Sequence, residues 1–479
     1  MHGIRLSARR TGRQRVTAAE GPAASHPTED AGPDVPPDAP YRILLSGRYL
    51  RMLLLSLVFG VLIALACFFF VGLQHWLQHE VWTNLPKAMG YREAPWWWPL
   101  PALALAGLLL APIVSRAPGG GGHLPVNGLG GAPIGPRELP GVVLAALMTL
   151  PFGVVLGPEA PLMAVGSGLA LLAVRRIKGA SDPQTTALVA TAGSTAAIST
   201  ILGGPVVAAL LVVEAAGLAG ARLVVLLLPC LTASAAGAVV FTGFGAWTGL
   251  SIGGLGLPTV PPVANPDAGD FLWGIPLAAL IAGGVALTRR LGRVTGRWTG
   301  GEHTAVRTVG CAVAVGGCLT AYALITGRSP EEAALSGQAT LGHLAADPGA
   351  WSVAALLALV VCKGLAWSIS LGSLRGGPIF PALLLGAAAA LACAGLPGLG
   401  TTPALALGIC AAATAVMGLP LCSAVLTVLL MGEDAYDQMP LIVLTAVVAH
   451  LTVLLVNRAA DARAARATAQ AVTTEGLRS

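Results

Sequence analysis

GPEAPLMAVG at Gly157–Gly166 and GPIFPALLLG at Gly377–Gly386 are two copies of one pattern, G-P-x-x-P-x-x-x-x-G, set 220 residues apart. Each copy places Gly and Pro ahead of an apolar run, so each marks a place where one helix stops and another begins. A second pair follows in the same order. Gly204-Pro205 opens VVAALLVVE, and Gly418-Leu419-Pro420 opens LCSAVLTVLL. Apolar segments broken by Gly and Pro at corresponding places in two halves point to a transporter with its site at the repeat interface.

The surrounding composition fits a chain that lives in lipid. Of 479 residues, 55% are hydrophobic and 10% are charged, against about 25% charged in an average soluble domain. Apolar runs approach or reach the length needed to cross a bilayer. They include Met52 to Val71, Leu139 to Leu156, Leu223 to Val240, Phe271 to Leu287, Val353 to Val361 and onward, and Leu441 to Val456. Backbone in hydrocarbon must pair within itself, so the expected fold is an all-α polytopic membrane protein with broken helices shielded by protein.

Residues 41–242 read as a first membrane half, 243–270 as a Gly- and Pro-rich linker, and 271–457 as a second half. Residues 1–40 are polar, with clustered Pro and no apolar period, and read as a disordered cytoplasmic tail without the core of a cleavable signal. Residues 458–479 read as a short cytoplasmic tail. The net charge of +6 is no nucleic-acid signal, because its basic residues cluster beside apolar runs. Arg5, Arg9, Arg10, Arg13 and Arg15 precede the first run. Arg175, Arg176 and Lys178 end one, Arg289, Arg290, Arg293 and Arg297 end another, and Arg458, Arg463 and Arg466 follow the last. This bias places both termini in the cytoplasm. Trp96, Trp97 and Trp98 read as an interfacial belt. The eight cysteines lie in apolar context with no C-x-x-C pair and read as small buried hydrophobes. No metal-ligand spacing or cofactor motif occurs.

Glu159 is the only charged residue between Leu139 and Val174. A carboxylate in the membrane is costly unless water, a partner or a helix end receives it. A helix is expected to start at or just after it, and the first N–H groups of a helix have no internal acceptor and favour negative charge. The same place suits a small anion. Carboxylate and anion then compete for one seat, and a proton on the carboxylate releases it. The structural alternative is an N-terminal carboxylate with no role in transport. Further helix starts are expected after Gly119–Gly122, Gly203-Gly204-Pro205 and Gly376-Gly377-Pro378. Backbone amides suit a halide path because they attract anions without the grip of a full cation.

Three segments in this order give the chain its resemblance. Gly121-Gly122-His123-Leu124-Pro125, Gly157-Pro158-Glu159-Ala160-Pro161 and Gly377-Pro378-Ile379-Phe380-Pro381 are similar to the GSGIP, G-[KR]-E-G-P and G-x-F-x-P segments of the CLC family of chloride channels and chloride/proton antiporters. The stretch TAGSTAAISTILGGPVVAALLVVE from Thr191 to Glu214 resembles the family's small-residue helix, N-A-P turn and apolar run ending in Glu. The resemblance covers about residues 45–457. It implies an inverted repeat of broken, tilted helices and a homodimer with one pore per subunit, and the tail after the last helix reads as too short for the nucleotide-sensing domains found behind some relatives. It also implies Glu159 as the gating glutamate and an anion held near Gly122, His123, Ala160, Ile379 and Phe380. The implied activity is transport of chloride or a similar small anion across the plasma membrane, with protons as possible co-substrate.

The chain departs from that pattern in several places. Gly122 stands where the family has an anion-contacting serine, with His123 adjacent. Pro378 brings no N–H, so Ile379 and Phe380 become the expected donors. No Tyr occurs in the last segment. Ala215 aligns with the inner proton glutamate of exchangers, and neighbouring Glu214 is either a shifted proton relay or a structural acid. Channel and exchanger both stay open. Lys363, in LVVCKGLAW, reads as an electrostatic or structural cation inside the membrane. Two other classes compete. A membrane enzyme using Ser167 and His450 lacks supporting motifs, since small residues in membrane helices usually serve close packing. A transporter of another ion or solute on the same scaffold (fluoride, nitrate or a cation) is the main alternative.

Overall fold

The computed structural model describes residues 44–128, 133–178, 183–202, 204–217, 220–248, 256–257, 260–261 and 265–476. The expected disordered tail at 1–40 lies outside them. Gly47–Ser479 forms one compact unit.

Helix α1 covers Gly47–His79 and continues through a π-helical turn, Glu80–Asn84, to Ala88. Then come α2 (Pro99–Arg116), α3 (Leu139–Leu147), α4 (Glu159–Lys178), α5 (Pro183–Ser199), α6 (Pro205–Ala216) and α7 (Gly220–Thr248). The second half holds α8 (Ala268–Thr299), α9 (Thr304–Thr326), α10 (Gln338–Ala346), α11 (Val353–Ser373), α12 (Ile379–Leu391), α13 (Thr401–Met417), α14 (Pro420–Met431) and α15 (Met439–Gly476). Among the described residues, 7 helices are long and apolar enough to cross a membrane.

Three boundaries differ from the sequence expectation. The run Leu139 to Leu156 is not one spanning helix, because α3 ends at Leu147 and a 3-10 turn follows at Leu150–Phe152. Pro151 cannot donate to a continuing helix. Gly153 then turns left-handed (φ 109), where a Cβ would meet the Trp82 ring at 2.4 Å. The expected linker is shorter than 243–270, since α7 reaches Thr248 and α8 starts at Ala268. Asp267 and Asp270 there form a reciprocal capping box, which fixes the helix start. Finally, α15 passes through position 457 without a break. Pro99–Arg116 and Thr304–Thr326 are two further helices long and apolar enough to cross a membrane.

The internal repeat has a packing meaning. Each G-P-x-x-P segment heads a helix that crosses a neighbour at a glycine. A Cβ on Gly166 would lie 2.2 Å from the Gly193 carbonyl oxygen, so α4 and α5 touch backbone to backbone. Gly386 on α12 meets Gly408 on α13 the same way, at 2.2 Å. Small residues let membrane helices approach this closely, and dispersion then holds them together. Gly386→Ala is therefore expected to lower thermal stability by about 2 kcal/mol through overpacking. Gly284→Ala on α8, with nothing within 4 Å, should be neutral. Melting of the detergent-solubilised protein, read by loss of the monodisperse chromatographic peak, compares the two.

Two basic residues in the second half of α8 tether neighbouring helices. Arg289 donates to the Ala415 carbonyl at 3.3 Å, near the end of α13, and Arg290 to the Val456 carbonyl of α15. The Ala415 carbonyl is among the last four of α13, which have no partner within the helix.

Candidate functional site

The two repeated breaks meet. Gly157 and Gly377 form an isolated antiparallel bridge, with the Gly157 N–H donating to the Gly377 carbonyl at 2.8 Å and a reciprocal bond back. A side chain on either glycine would collide with the Glu159 side chain where it stands. A Cβ on Gly157 would lie 2.2 Å, and one on Gly377 1.8 Å, from Oε2 of Glu159. The bridge joins the starts of α4 and α12.

Glu159 is the first residue of α4 and is 0% exposed. Its side chain crosses to the other half. Oε1 accepts from the Phe380 N–H at 2.9 Å. Phe380 and Ile379 open α12, where amides lack helix acceptors, and Pro378 is the N-cap with no N–H to give. Oε2 is buried with no hydrogen-bond partner. One carboxylate oxygen is thus held by the start of the other half's helix, and the other has no hydrogen-bond partner among the described residues.

Beside this seat lies a cavity lined by Gly122, His123, Ala160, Ser167, Arg375 and Gly376, among others. Ala160 adjoins Glu159, and Gly376 adjoins Gly377, so cavity and seat share a wall. The Gly119–Gly122 run shapes the far side. All four glycines have positive φ (72, 56, 75 and 100), a path closed to most L side chains. A serine at 122 would be strained in this turn. The Gly122 N–H is already bonded to the Gly119 carbonyl at 2.9 Å, so Gly122 gives the cavity space rather than a donor. His123 is exposed at its rim. The structure thus brings Ile379, Phe380 and Glu159 together at the seat, and Gly122, His123 and Ala160 together around the cavity.

Glu214 is placed elsewhere. Its two oxygens accept from the Leu421 N–H at 2.9 Å and the Cys422 N–H at 2.8 Å. It stands near the end of α6 and caps the start of α14, so it ties together the elements of the second sequence echo. Capping carboxylates are worth about 1 kcal/mol. Glu214→Ala is expected to cost about that much stability, seen as a lower melting temperature, and Glu214→Gln less.

Arg375 is absent from the motif residues, yet it lines the cavity. Its signal was present in the sequence, as the only charge between Lys363 and Glu433. Lys363 does not reach an interface. It is 0% exposed, and its ammonium donates to the carbonyls of Ala333, Ala334 and Leu335 at 2.8, 2.9 and 3.2 Å. Ser167 lines the cavity, but its hydroxyl bonds the Ala164 carbonyl at 3.2 Å, the packing use expected of a small residue in a membrane helix.

Comparison with known proteins bears on the family and the fold. The Escherichia coli protein YfeO (strain SMS-3-5 / SECEC), an ion-transport protein by name, is 32% identical over 172 residues. That match spans 35% of this chain and 40% of the relative, and the YfeO protein of strain IAI39 matches to the same extent. Among solved structures, a slow cyanobacterial Cl-/H+ antiporter aligns with TM-score 0.68 at 16% identity, over 85% of this chain and 95% of that one. A CLC-type fluoride/proton antiporter aligns with TM-score 0.65 at 18% identity, over 84% and 95%. These two share the fold. The family model described as voltage gated chloride channel matches residues 125–454, more than half of the sequence, and the chain belongs to that family, the CLC proteins, as a multi-pass membrane protein.

Proposed function

We propose that the protein carries chloride or a similar small anion across a bilayer, with Glu159 as its gate and a proton as the competing occupant of the gate. One observation carries this: a fully buried carboxylate with one oxygen on the Phe380 amide and the other without a partner. Ionised, the carboxylate suits the positive end of α12 and fills the place an anion would take. Protonation removes its charge and weakens that bond, so the side chain can leave and an anion can enter. Ile379 and Phe380 at the start of α12 and Ala160 at the start of α4 supply the amides that then face the anion.

Glu214 serves as a structural cap in this reading, because both oxygens are spent on α14. The protein works as a homodimer in the plasma membrane, with both termini cytoplasmic and one path per subunit. Subunit contact falls near 205–238 and 420–455. Val206, Leu421 and Val443 are more than half exposed there, as a lipid or subunit face requires. Fluoride, nitrate or a cation on the same scaffold is the competing reading. A seat of amide donors disfavours cations.

The test is flux into proteoliposomes of the full chain under opposed gradients of chloride, fluoride, nitrate and sodium, with internal pH recorded. Chloride-dependent proton movement is the expected result. Anion flux with no proton movement would make the protein a channel. Sodium flux, or no flux of any anion, would overturn the proposal.

A further inference from the structure

Far from the gate, a groove of about 470 Å³ lies between α1 and α4, within the range of about 300–1,000 Å³ usual for ligand sites. Phe59, Leu62 and Ile63 of α1 face Leu169, Ala173 and Arg176 of α4 across it. The gap has a packing origin. Helix α1 is drawn onto α7 at Gly60, where a Cβ would lie 2.4 Å from the Ala233 carbonyl oxygen, and α4 is drawn onto α5 at Gly166. Each helix is committed to a different neighbour, and Ala170 and Ala173 on α4 bring too little volume to close the space between them. Ile63 and Ala170 are buried at its floor, whereas Leu62 is 55% exposed on its wall.

Arg176 is the one charged residue among those lining the groove. It is exposed and makes no ion pair among the described residues. Neither helix offers it an acid, since α1 has none from Gly47 to His79 and α4 has none after Glu159. Other basic residues gather at the same end. Arg175 adjoins it. On α1, Arg48 stands 11 residues before Phe59, and Arg51 stands 11 before Leu62. Eleven residues are about three turns, so each arginine shares a face with a residue of the groove. The positive-inside pattern assigns the start of α1 and the end of α4 to one side of the membrane.

We infer that this groove binds an anionic glycerophospholipid, with an acyl chain along its floor and the phosphate on Arg176. The apolar walls suit the chain, and the guanidinium fork matches two phosphate oxygens. Basic pockets between membrane helices select anionic headgroups. Here a zwitterionic headgroup would bring its own ammonium among four arginines. Bulk lipid covers any outer face of a membrane protein. A concave floor with an unpaired cation at its mouth is what sets this place apart. Neither Glu159 nor a transported anion takes part, so the inference stands whether or not the transport reading does.

The test is native mass spectrometry of the full chain, released from detergent micelles doped with phosphatidylglycerol or with phosphatidylcholine of the same acyl chains. Phosphatidylglycerol should bind more tightly than phosphatidylcholine. Arg176→Gln is expected to weaken phosphatidylglycerol binding about fivefold, the worth of one basic residue near a membrane surface, and to leave phosphatidylcholine unchanged. Arg176→Lys should recover most of the loss. Ala173→Phe fills the groove without touching the charge, and should weaken both lipids. Equal binding of the two lipids, unmoved by Arg176→Gln, would show ordinary covering lipid and overturn the assignment. So would phosphatidylglycerol binding that Ala173→Phe leaves intact, which would place the headgroup on the surface with no chain in the groove. Displacement by glycerol phosphate as effective as by the whole lipid would make the ligand a free phosphate, and a changed oligomeric mass in Ala173→Phe with lipid binding unaltered would make the occupant a second copy of the chain. Either result overturns the inference.

Discussion

Glu159→Ala is expected to leave anion flux in place and to remove its dependence on pH, whereas Gly377→Ala is expected to stop flux. Both changes act on one volume from opposite sides. The carboxylate of Glu159 fills the space against the Gly157–Gly377 bridge, with Oε1 on the Phe380 amide. Removing the side chain empties that space and leaves the amides to an anion. A methyl on Gly377 would instead stand 1.8 Å from the position of Oε2, and it would fill the place whichever occupant wanted it. The sign of the natural pH response follows from the gate. Protons neutralise the carboxylate, so the seat frees as pH falls and flux rises, by at most about tenfold per pH unit for a one-proton gate. In Glu159→Ala that slope should be flat. In Gly377→Ala, flux should drop by about a hundredfold, the scale of a displacement of about 1 Å in a tight site. The double variant Glu159→Ala/Gly377→Ala separates the two roles. It should stay blocked, because the methyl excludes the anion as well as the carboxylate. Recovery of flux in the double variant would mean that the seat belongs to the glutamate alone. Liposome flux at several pH values, on protein that passes the same chromatographic check as the natural chain, decides it.

Much of this site was legible before any coordinate. The repeated G-P-x-x-P spacing marks two helix starts, because Gly and Pro act locally on backbone conformation. The lone charge at Glu159 follows from the cost of a carboxylate in lipid. What the spacing does not give is which breaks touch. The Gly157–Gly377 bridge is a contact between residues 220 apart, and no local rule predicts it. The orientation of Glu159 towards the other half's helix, rather than its own, has the same long-range origin. Gly122 shows a different limit. Its residue type reads as a lost hydroxyl, but the four positive-φ glycines show that a serine would be strained on this backbone path. Arg375 was readable as a lone charge, yet motif matching looks two residues further on. Glu214 and Lys363 are charges whose partners are main-chain groups, and sequence does not number those.

Lys363 carries the second large effect, on stability. Lys363→Met keeps the length and loses the ammonium. Its three N–H groups, available only in the charged form, hold the carbonyls of Ala333, Ala334 and Leu335. These carbonyls belong to an irregular loop before α10, where Leu335 adopts a left-handed conformation (φ 61). No helix or sheet ladder can satisfy three consecutive carbonyls in such a turn. Each buried carbonyl left unpaired costs about 1–3 kcal/mol, so the loss should exceed about 3 kcal/mol, a large share of a typical protein's margin. The damage should also reach the gate. The Leu335 N–H donates to the Gly153 carbonyl at 3.3 Å, and Gly153 begins the irregular loop that runs to Gly157 and Glu159. Lys363→Arg is expected to fail as well. The Lys363 Nζ already lies 3.1 Å from where a Cβ of Gly337 would stand, and a planar fork cannot meet three carbonyls arranged around a point charge. The measurement is the melting temperature in detergent, with flux on whatever folds. If Lys363→Met melts like the natural chain, the ammonium does not hold this loop. If it melts normally but loses flux, Lys363 belongs to the transport path rather than to the scaffold.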